Sequence, residues 1–248
     1  MYLCIEMEER LDKLLVELGL VATRSEAEKL ILEVGVNIDG KLITKPGKKF
    51  SMNSNIKLVS NQQEFSSLNA VKISSAIKKW KLAVEGGSFL DIFSEEAIAS
   101  EVLLFLNASK VFINEPSKNS FKNIPFSEKV VDLTGIFLRE ISIKNTGNLL
   151  DGCVLNASDE SLMKSLPFVH PLLKQNGFVL AIIRPKVEVE KSALKNNGKI
   201  RNSLVYPAMF EQIKSTSFIN NLDLIDYIKS PIIGKDGEEE FILYLRKK

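Results

Sequence analysis

Cysteine, histidine and long apolar runs are scarce in this chain, and each shortage removes a class of function. Two cysteines, Cys4 and Cys153, stand far apart, so neither a disulfide framework nor a metal quartet is available, and a reducing, cytoplasmic setting is expected. The single histidine, His170, lies in Pro167-Phe168-Val169-His170-Pro171 and reads as a structural or surface residue rather than a catalytic one. The best apolar run, Phe178 to Ile183, ends at Arg184, far short of the roughly 20 residues that span a bilayer, so no membrane partner is expected. The N-terminus, Met1-Tyr2-Leu3-Cys4-Ile5-Glu6, turns acidic too early for a signal peptide.

What remains has the composition of an ordinary globular protein. Hydrophobic residues are 45% and charged residues 26% of 248 positions, which suits one domain with a smaller attachment. The formal net charge is only +2, yet it is unevenly spread. Lys41, Lys45, Lys48, Lys49, Lys57, Lys72, Lys78, Lys79 and Lys81 are opposed over that stretch by Glu64 alone, which suits phosphate contact or, equally, a solvated lysine-rich surface.

Leu11, Leu14, Leu15 and Leu18 recur at helical spacing before Gly19. Thr23-Arg24-Ser25-Glu26 has the spacing of a capping box ahead of the apolar stripe Ala27, Leu30 and Ile31, so a second helix follows. Val36-Asn37-Ile38 and Leu42-Ile43 flank Asp39-Gly40, a pair suited to a two-residue hairpin turn. Pro46-Gly47 marks another turn, and Ile56-Lys57-Leu58-Val59 a last strand. This order, with Arg10-Leu11-Asp12, Gly19-Leu20 and Lys45-Pro46-Gly47, resembles the S-four RNA-binding domain, named for a ribosomal protein. The resemblance implies an RNA-binding domain over residues 1–60, with Arg10, Arg24, Lys41 and Lys45 as the cations offered to structured RNA. Val34-Gly35 stands where the family carries a Gly-Arg pair, so one cationic contact is missing. Residues 61–73 are polar and lack periodicity, and they read as a linker.

Beyond it, Phe89-Leu90-Asp91-Ile92, Lys110 to Ile113, Val130 to Leu133, Cys153-Val154-Leu155 and Phe178 to Ile183 are candidate strands separated by helix-length segments. Ile225 to Ile228 and Phe241 to Leu245 flank Lys235-Asp236-Gly237 and suggest a closing antiparallel pair. The fold class is therefore α/β, a doubly wound and mostly parallel sheet. A small α+β S-four-type domain leading into such a sheet resembles the hemolysin A-type ribosomal RNA methyltransferases, relatives of the FtsJ 2′-O-ribose methyltransferases. The matching stretches include Ile73 to Lys79, Leu90-Asp91-Ile92, Ile182 to Glu188, Gly198 to Asn202 and Glu240 to Arg246. The resemblance implies a Rossmann-like class I methyltransferase domain over residues 74–248.

In that family a glycine-rich turn after the first strand holds S-adenosylmethionine, because glycine lets the backbone approach the cofactor. Here the turn is Phe93-Ser94-Glu95-Glu96-Ala97-Ile98-Ala99-Ser100, without glycine, and Ser94 is placed to cap the next helix. A filled or misshapen pocket is expected. Asp91, and Glu115 at the end of the second strand, are the positions that would face the cofactor, although Glu115 reads as well as a lone surface residue. The family's catalytic Lys-Asp-Lys-Glu set falls, by position, on Lys79, Asn156, Arg184 and Glu240. Asparagine has no charge to organise its neighbours, and an arginine stays protonated and cannot act as the base.

The resemblance and these departures lead to an RNA-binding protein, with ribosomal RNA or ribosomal subunits as partner, that has lost methyl transfer and its cofactor. The alternative is an active S-adenosylmethionine-dependent 2′-O-ribose methyltransferase with a divergent site. Membrane lysis, which the hemolysin name suggests, lacks any amphipathic or spanning segment to support it.

Overall fold

The computed structural model describes residues 8–18, 20–21, 23–60, 63–65, 67–93, 97–115, 127–157, 160–230 and 239–248. The chain forms two compact units, one within residues 1–75 and one made of residues 76–230 with 239–248.

The first unit opens with strand β1 (Glu8–Arg10), helix α1 (Leu11–Glu17) and helix α2 (Arg24–Glu33). The Oγ1 of Thr23 accepts from the Glu26 amide at 3.2 Å and fixes the start of α2, as the capping-box spacing requires. Strands β2 (Val36–Ile38) and β3 (Lys41–Ile43) pair antiparallel across Asp39 and Gly40, whose φ angles of 51° and 82° make the expected primed turn. β4 (Lys49–Ser51) pairs with β1, and β5 (Ile56–Ser60) lies between β2 and β6 (Gln63–Phe65). Leu11, Leu14, Leu15, Ala27, Ile31, Val36, Ile38 and Leu58 are buried together with little or no exposed surface. The reading of residues 61–73 as a linker is corrected here: the stretch carries β6 and the first half of helix α3 (Leu68–Lys79). The apolar spacing Ala70, Val71, Ile73, Ala76 and Ile77, all buried, is helical, and the serines and lysine between them had concealed it.

The second unit is built on β7 (Ser88–Ile92), helix α4 (Ile98–Phe105), β8 (Lys110–Asn114), β9 (Val130–Asp132), the short helix α5 (Ile143–Thr146), β10 (Leu150–Ala157) and helix α6 (Leu162–Val169). It continues through β11 (Leu173–Ile183), the single turn α7 (Pro185–Glu188), α8 (Val205–Ile219), β12 (Leu222–Lys229) and β13 (Phe241–Lys247). The sheet order is β12-β13-β11-β10-β7-β8-β9, with β7 to β11 mutually parallel and β13 antiparallel to both of its neighbours. Strand order reverses between β7 and β10, so the carboxyl ends there form the crevice in which such sheets bind ligands. Residues 152–155 of β10 and 177–183 of β11 are buried without a break, as expected of central strands in a parallel sheet. The Lys235-Asp236-Gly237 turn expected between β12 and β13, like Gly19 and Ser94-Glu95-Glu96, lies outside the described residues.

Candidate functional site

The carboxyl edge of the sheet gathers most of the residues singled out in the second unit. Arg184 directly follows β11 and Glu240 directly precedes β13, and since Ile183 pairs with Phe241 the two side chains meet there. Arg184 Nε lies 3.3 Å from Glu240 Oε1, with only 17% and 5% of their side chains exposed. The pair is a charge-assisted contact sheltered from solvent screening, and it engages Arg184 with a carboxylate. Asn156 stands on neighbouring β10, level with Ile182 of β11. Lys79 is placed otherwise: its Nζ lies 3.9 Å from Asp226 of β12, which also accepts from the Trp80 indole at 2.8 Å. Thus two of the four positions are in contact, the third is on the adjoining strand, and the lysine pairs with an aspartate that no sequence pattern had singled out.

Asp91, at the end of β7, is buried and accepts from the backbone amide and hydroxyl of Ser100 at 2.8 and 2.6 Å. Ser100 is in the first turn of α4, so a carboxylate from the sheet supplies the acceptor that a capping side chain would otherwise supply. Ser94, expected to cap this helix, lies outside the described residues; the helix N-cap is Ala97, which makes no side-chain cap. The turn keeps a glycine-like backbone without glycine. Phe93 and Ala97 sit at φ of 57° and 52°, the left-handed region that costs a residue with a Cβ about 1–2 kcal/mol. Ala97→Gly should change stability by less than about 1 kcal/mol, because relief of strain is offset by loss of a buried methyl. Ala97→Val should lower it by about 2–3 kcal/mol, a β-branched side chain being the worst tolerated there. Urea unfolding of the pair of variants checks both figures.

Beside this turn is a cavity of about 330 Å³, lined among others by Phe93, Asn114, Ile136, Leu138, Lys164 and Phe168. Phe93 forms part of its wall, while Ser94, Glu95 and Glu96, the turn residues on which the expectation of a filled or misshapen pocket rests, lie outside the described residues. Asn114 is 2% exposed, and its amide nitrogen donates to the Leu133 and Ile136 carbonyls at 3.2 and 2.8 Å. Two carbonyl acceptors fix which end is nitrogen, so Oδ1 is the atom left buried without a partner. Glu115, the residue favoured from sequence, does not line this cavity; its neighbour Asn114 does. A buried polar position at the end of the second parallel strand was the available signal, and charge drew attention one residue too far.

In the first unit, Arg10 and Arg24 converge on Asp12, with Nε to carboxylate distances of 3.0 and 2.7 Å. The arginines hold the buried Asp12 carboxyl well below the usual carboxylate range, Arg10 contributing most. Lys45 is exposed in the turn beside α1, where the Asp12 amide donates to the Pro46 carbonyl at 3.1 Å. Lys41 is exposed at the β2–β3 hairpin.

The fold and its carboxyl edge define a methyltransferase-type α/β unit preceded by an RNA-binding module. The chain belongs to the FtsJ-like methyltransferase family, whose model matches residues 34–247, and residues 9–56 match the S4 domain. It is homologous to rRNA methyltransferases of the hemolysin A type. It is 25% identical over 240 residues to YqxC of Bacillus subtilis, which bears an rRNA methyltransferase name, covering 96% of this chain and 85% of that one. It is 25% identical over 242 residues to the 16S/23S rRNA (cytidine-2′-O)-methyltransferase TlyA of Mycobacterium tuberculosis, covering 96% and 89%. A solved structure from Streptococcus thermophilus, named as a hemolysin, superposes with a TM-score of 0.73 at 23% identity over 98% of this chain and 90% of that one. Among the described residues no helix is long and apolar enough to cross a membrane, and no group of His, Cys, Asp or Glu could hold a metal.

Proposed function

We propose that the protein binds ribosomal RNA through its S4 domain and has lost methyl transfer. The observation that carries the second half is the Arg184–Glu240 pair, since the position of the family's central lysine holds a cation that cannot release its proton at neutral pH and is tied to the neighbouring acid. Asn156, uncharged on the adjoining strand, removes the other carboxylate of the set.

The cofactor fits this site only in part. The cavity's mixed lining, in which Phe93, Ile136, Leu138 and Phe168 stand beside Arg139, Glu160 and Lys164, and the buried Asn114 oxygen suit a nucleoside with a hydrogen to donate. The turn that should take the rest of S-adenosylmethionine carries the side chains of Phe93 and Ala97, and Asp91 is engaged with α4. Bound cofactor would supply an electrophilic methyl group, and neither Asn156 nor Arg184, at the family's acid and central-base positions, is a group that prepares an attacking ribose hydroxyl. That same cavity favours the second reading, an active enzyme with a divergent site. Calorimetry with S-adenosylmethionine separates them: heat of micromolar binding, together with labelled RNA, would establish the enzyme.

RNA binding is tested by filter assay on ribosomal RNA. Arg24→Ala with Lys45→Ala should weaken binding by about tenfold or more and lower the log–log salt slope by about two, as expected for two lost phosphate contacts. Wild-type affinity in the double variant defeats the assignment of these residues.

A further inference from the structure

Asp12 is fully buried, an uncommon position for a charged side chain unless a partner requires it. Its two oxygens accept from Arg10 Nε and Nη2 at 3.0 and 2.9 Å, from Arg24 Nε at 2.7 Å and from the Lys13 amide at 3.1 Å. One carboxylate thus holds two guanidinium groups that would otherwise repel each other. Arg24 has a second, more distant acid in Glu28, at 3.7 Å, and both arginines keep exposed surface, 38% and 49%. The bonds to Asp12 use the Nε–Nη2 edge of Arg10 and the Nε of Arg24. Arg10 Nη1 and the two terminal nitrogens of Arg24 take no part in them.

A second element fixes Arg10. The amides of Leu11 and Asp12 donate to the carbonyls of Lys48 and Pro46 at 2.8 and 3.1 Å, which ties the Lys45–Lys48 turn to the start of α1. Within that turn, a Cβ added at Gly47 would stand 3.3 Å from Arg10 Nη1 and 3.4 Å from its Cζ. The guanidinium therefore lies against a residue that offers only backbone. Gly47 has no positive φ, so the turn's conformation does not itself call for glycine.

We propose that Asp12 and Gly47 are positioning residues of a two-arginine clamp for RNA backbone phosphates, formed by Arg10 and Arg24. The inference rests on the RNA-binding reading above and says how that site is organised. A long cationic side chain loses rotamer freedom when it grips a phosphate, and a carboxylate that has already fixed two of them lowers that cost before RNA arrives. Asp12 holds the pair together from beneath, and Gly47 leaves the face on which Arg10 rests.

Charge and positioning predict opposite signs, which makes the test decisive. Asp12→Asn adds one positive charge, so electrostatics alone tightens binding to a polyanion. Loss of the clamp weakens it instead. The full-length chain is titrated with a fluorescein-labelled ribosomal RNA hairpin at several salt concentrations, and folding is followed by circular dichroism. Asp12→Asn should bind about tenfold more weakly than wild type, and Gly47→Val, which leaves the charge unchanged, about fivefold more weakly. In an Arg10→Ala/Arg24→Ala background, Asp12→Asn should weaken binding no further, only the tightening from its added charge remaining, whereas an additive loss overturns the proposal. A folded Asp12→Asn that binds as tightly as wild type, or more tightly, also overturns it. If Asp12→Asn does not fold, Gly47→Val decides, and unchanged affinity there overturns the clamp. Absence of any wild-type binding removes the RNA-binding reading itself, and with it this one.

Discussion

Asn156→Asp combined with Arg184→Lys leaves ribosomal subunits unlabelled by radioactive S-adenosylmethionine. The double change re-creates the family's charge pattern beside Glu240 and gives the central position a side chain whose pKa burial can lower. A positioned base contributes about 10²–10⁴-fold in rate, but only on a donor that is held in place. The Phe93–Ser100 turn still lacks glycine, and Asp91 is still bound to Ser100. Replacing that turn with a glycine-rich one should likewise give no transfer by itself. Both changes together should give labelled RNA, so the two defects are non-additive. The Lys79–Asp226 pair is no obstacle: at 3.9 Å and nearly half exposed on each side, it is a surface contact that contributes little and is readily exchanged. Labelling by the unmodified protein would show that Arg184 is not disabling and that a mechanism tolerant of arginine operates.

Asp91→Ala should lower the stability of the second unit by about 3 kcal/mol, while Glu115→Ala changes it by less than about 1 kcal/mol. The buried carboxylate satisfies an amide and a hydroxyl in the first turn of α4. Without it two buried donors lose their acceptor, and each such orphan costs about 1–3 kcal/mol. Urea denaturation measures the difference. An Asp91→Ala variant as stable as wild type would mean that water replaces the carboxylate and that Asp91 is free for another role.

The parts of the fold legible in the sequence were those in which one local rule acts alone. Thr23 and Glu26 specify a cap, Asp39-Gly40 specifies a turn, and the apolar run of β11 needs no partner to be read. What escaped depended on pairing at a distance. β1 and β4 are three residues each and carry charges, and only their mutual register defines them. Within the site, Arg184 and Glu240 could be placed by order along the chain, but their contact arises from an antiparallel crossing of β11 and β13 that spacing does not encode. The same holds for Asp12, which looks like a helix-surface acid until α2 brings Arg24 to it across 12 positions. The left-handed angles at Phe93 and Ala97 are not legible either, because neither residue type favours them and the turn holds no glycine to announce them.

Trp80 is the only tryptophan in the chain, and its indole is hydrogen-bonded to Asp226 with its ring 5.6 Å from that of Tyr244. Selective excitation of that indole therefore monitors the β12–β13 edge of the methyltransferase unit and receives nothing from the RNA-binding unit, which has no indole of its own. Unfolding followed by this emission reports on one unit, and far-ultraviolet circular dichroism on both, so any gap between the two midpoints measures how independently the two halves melt.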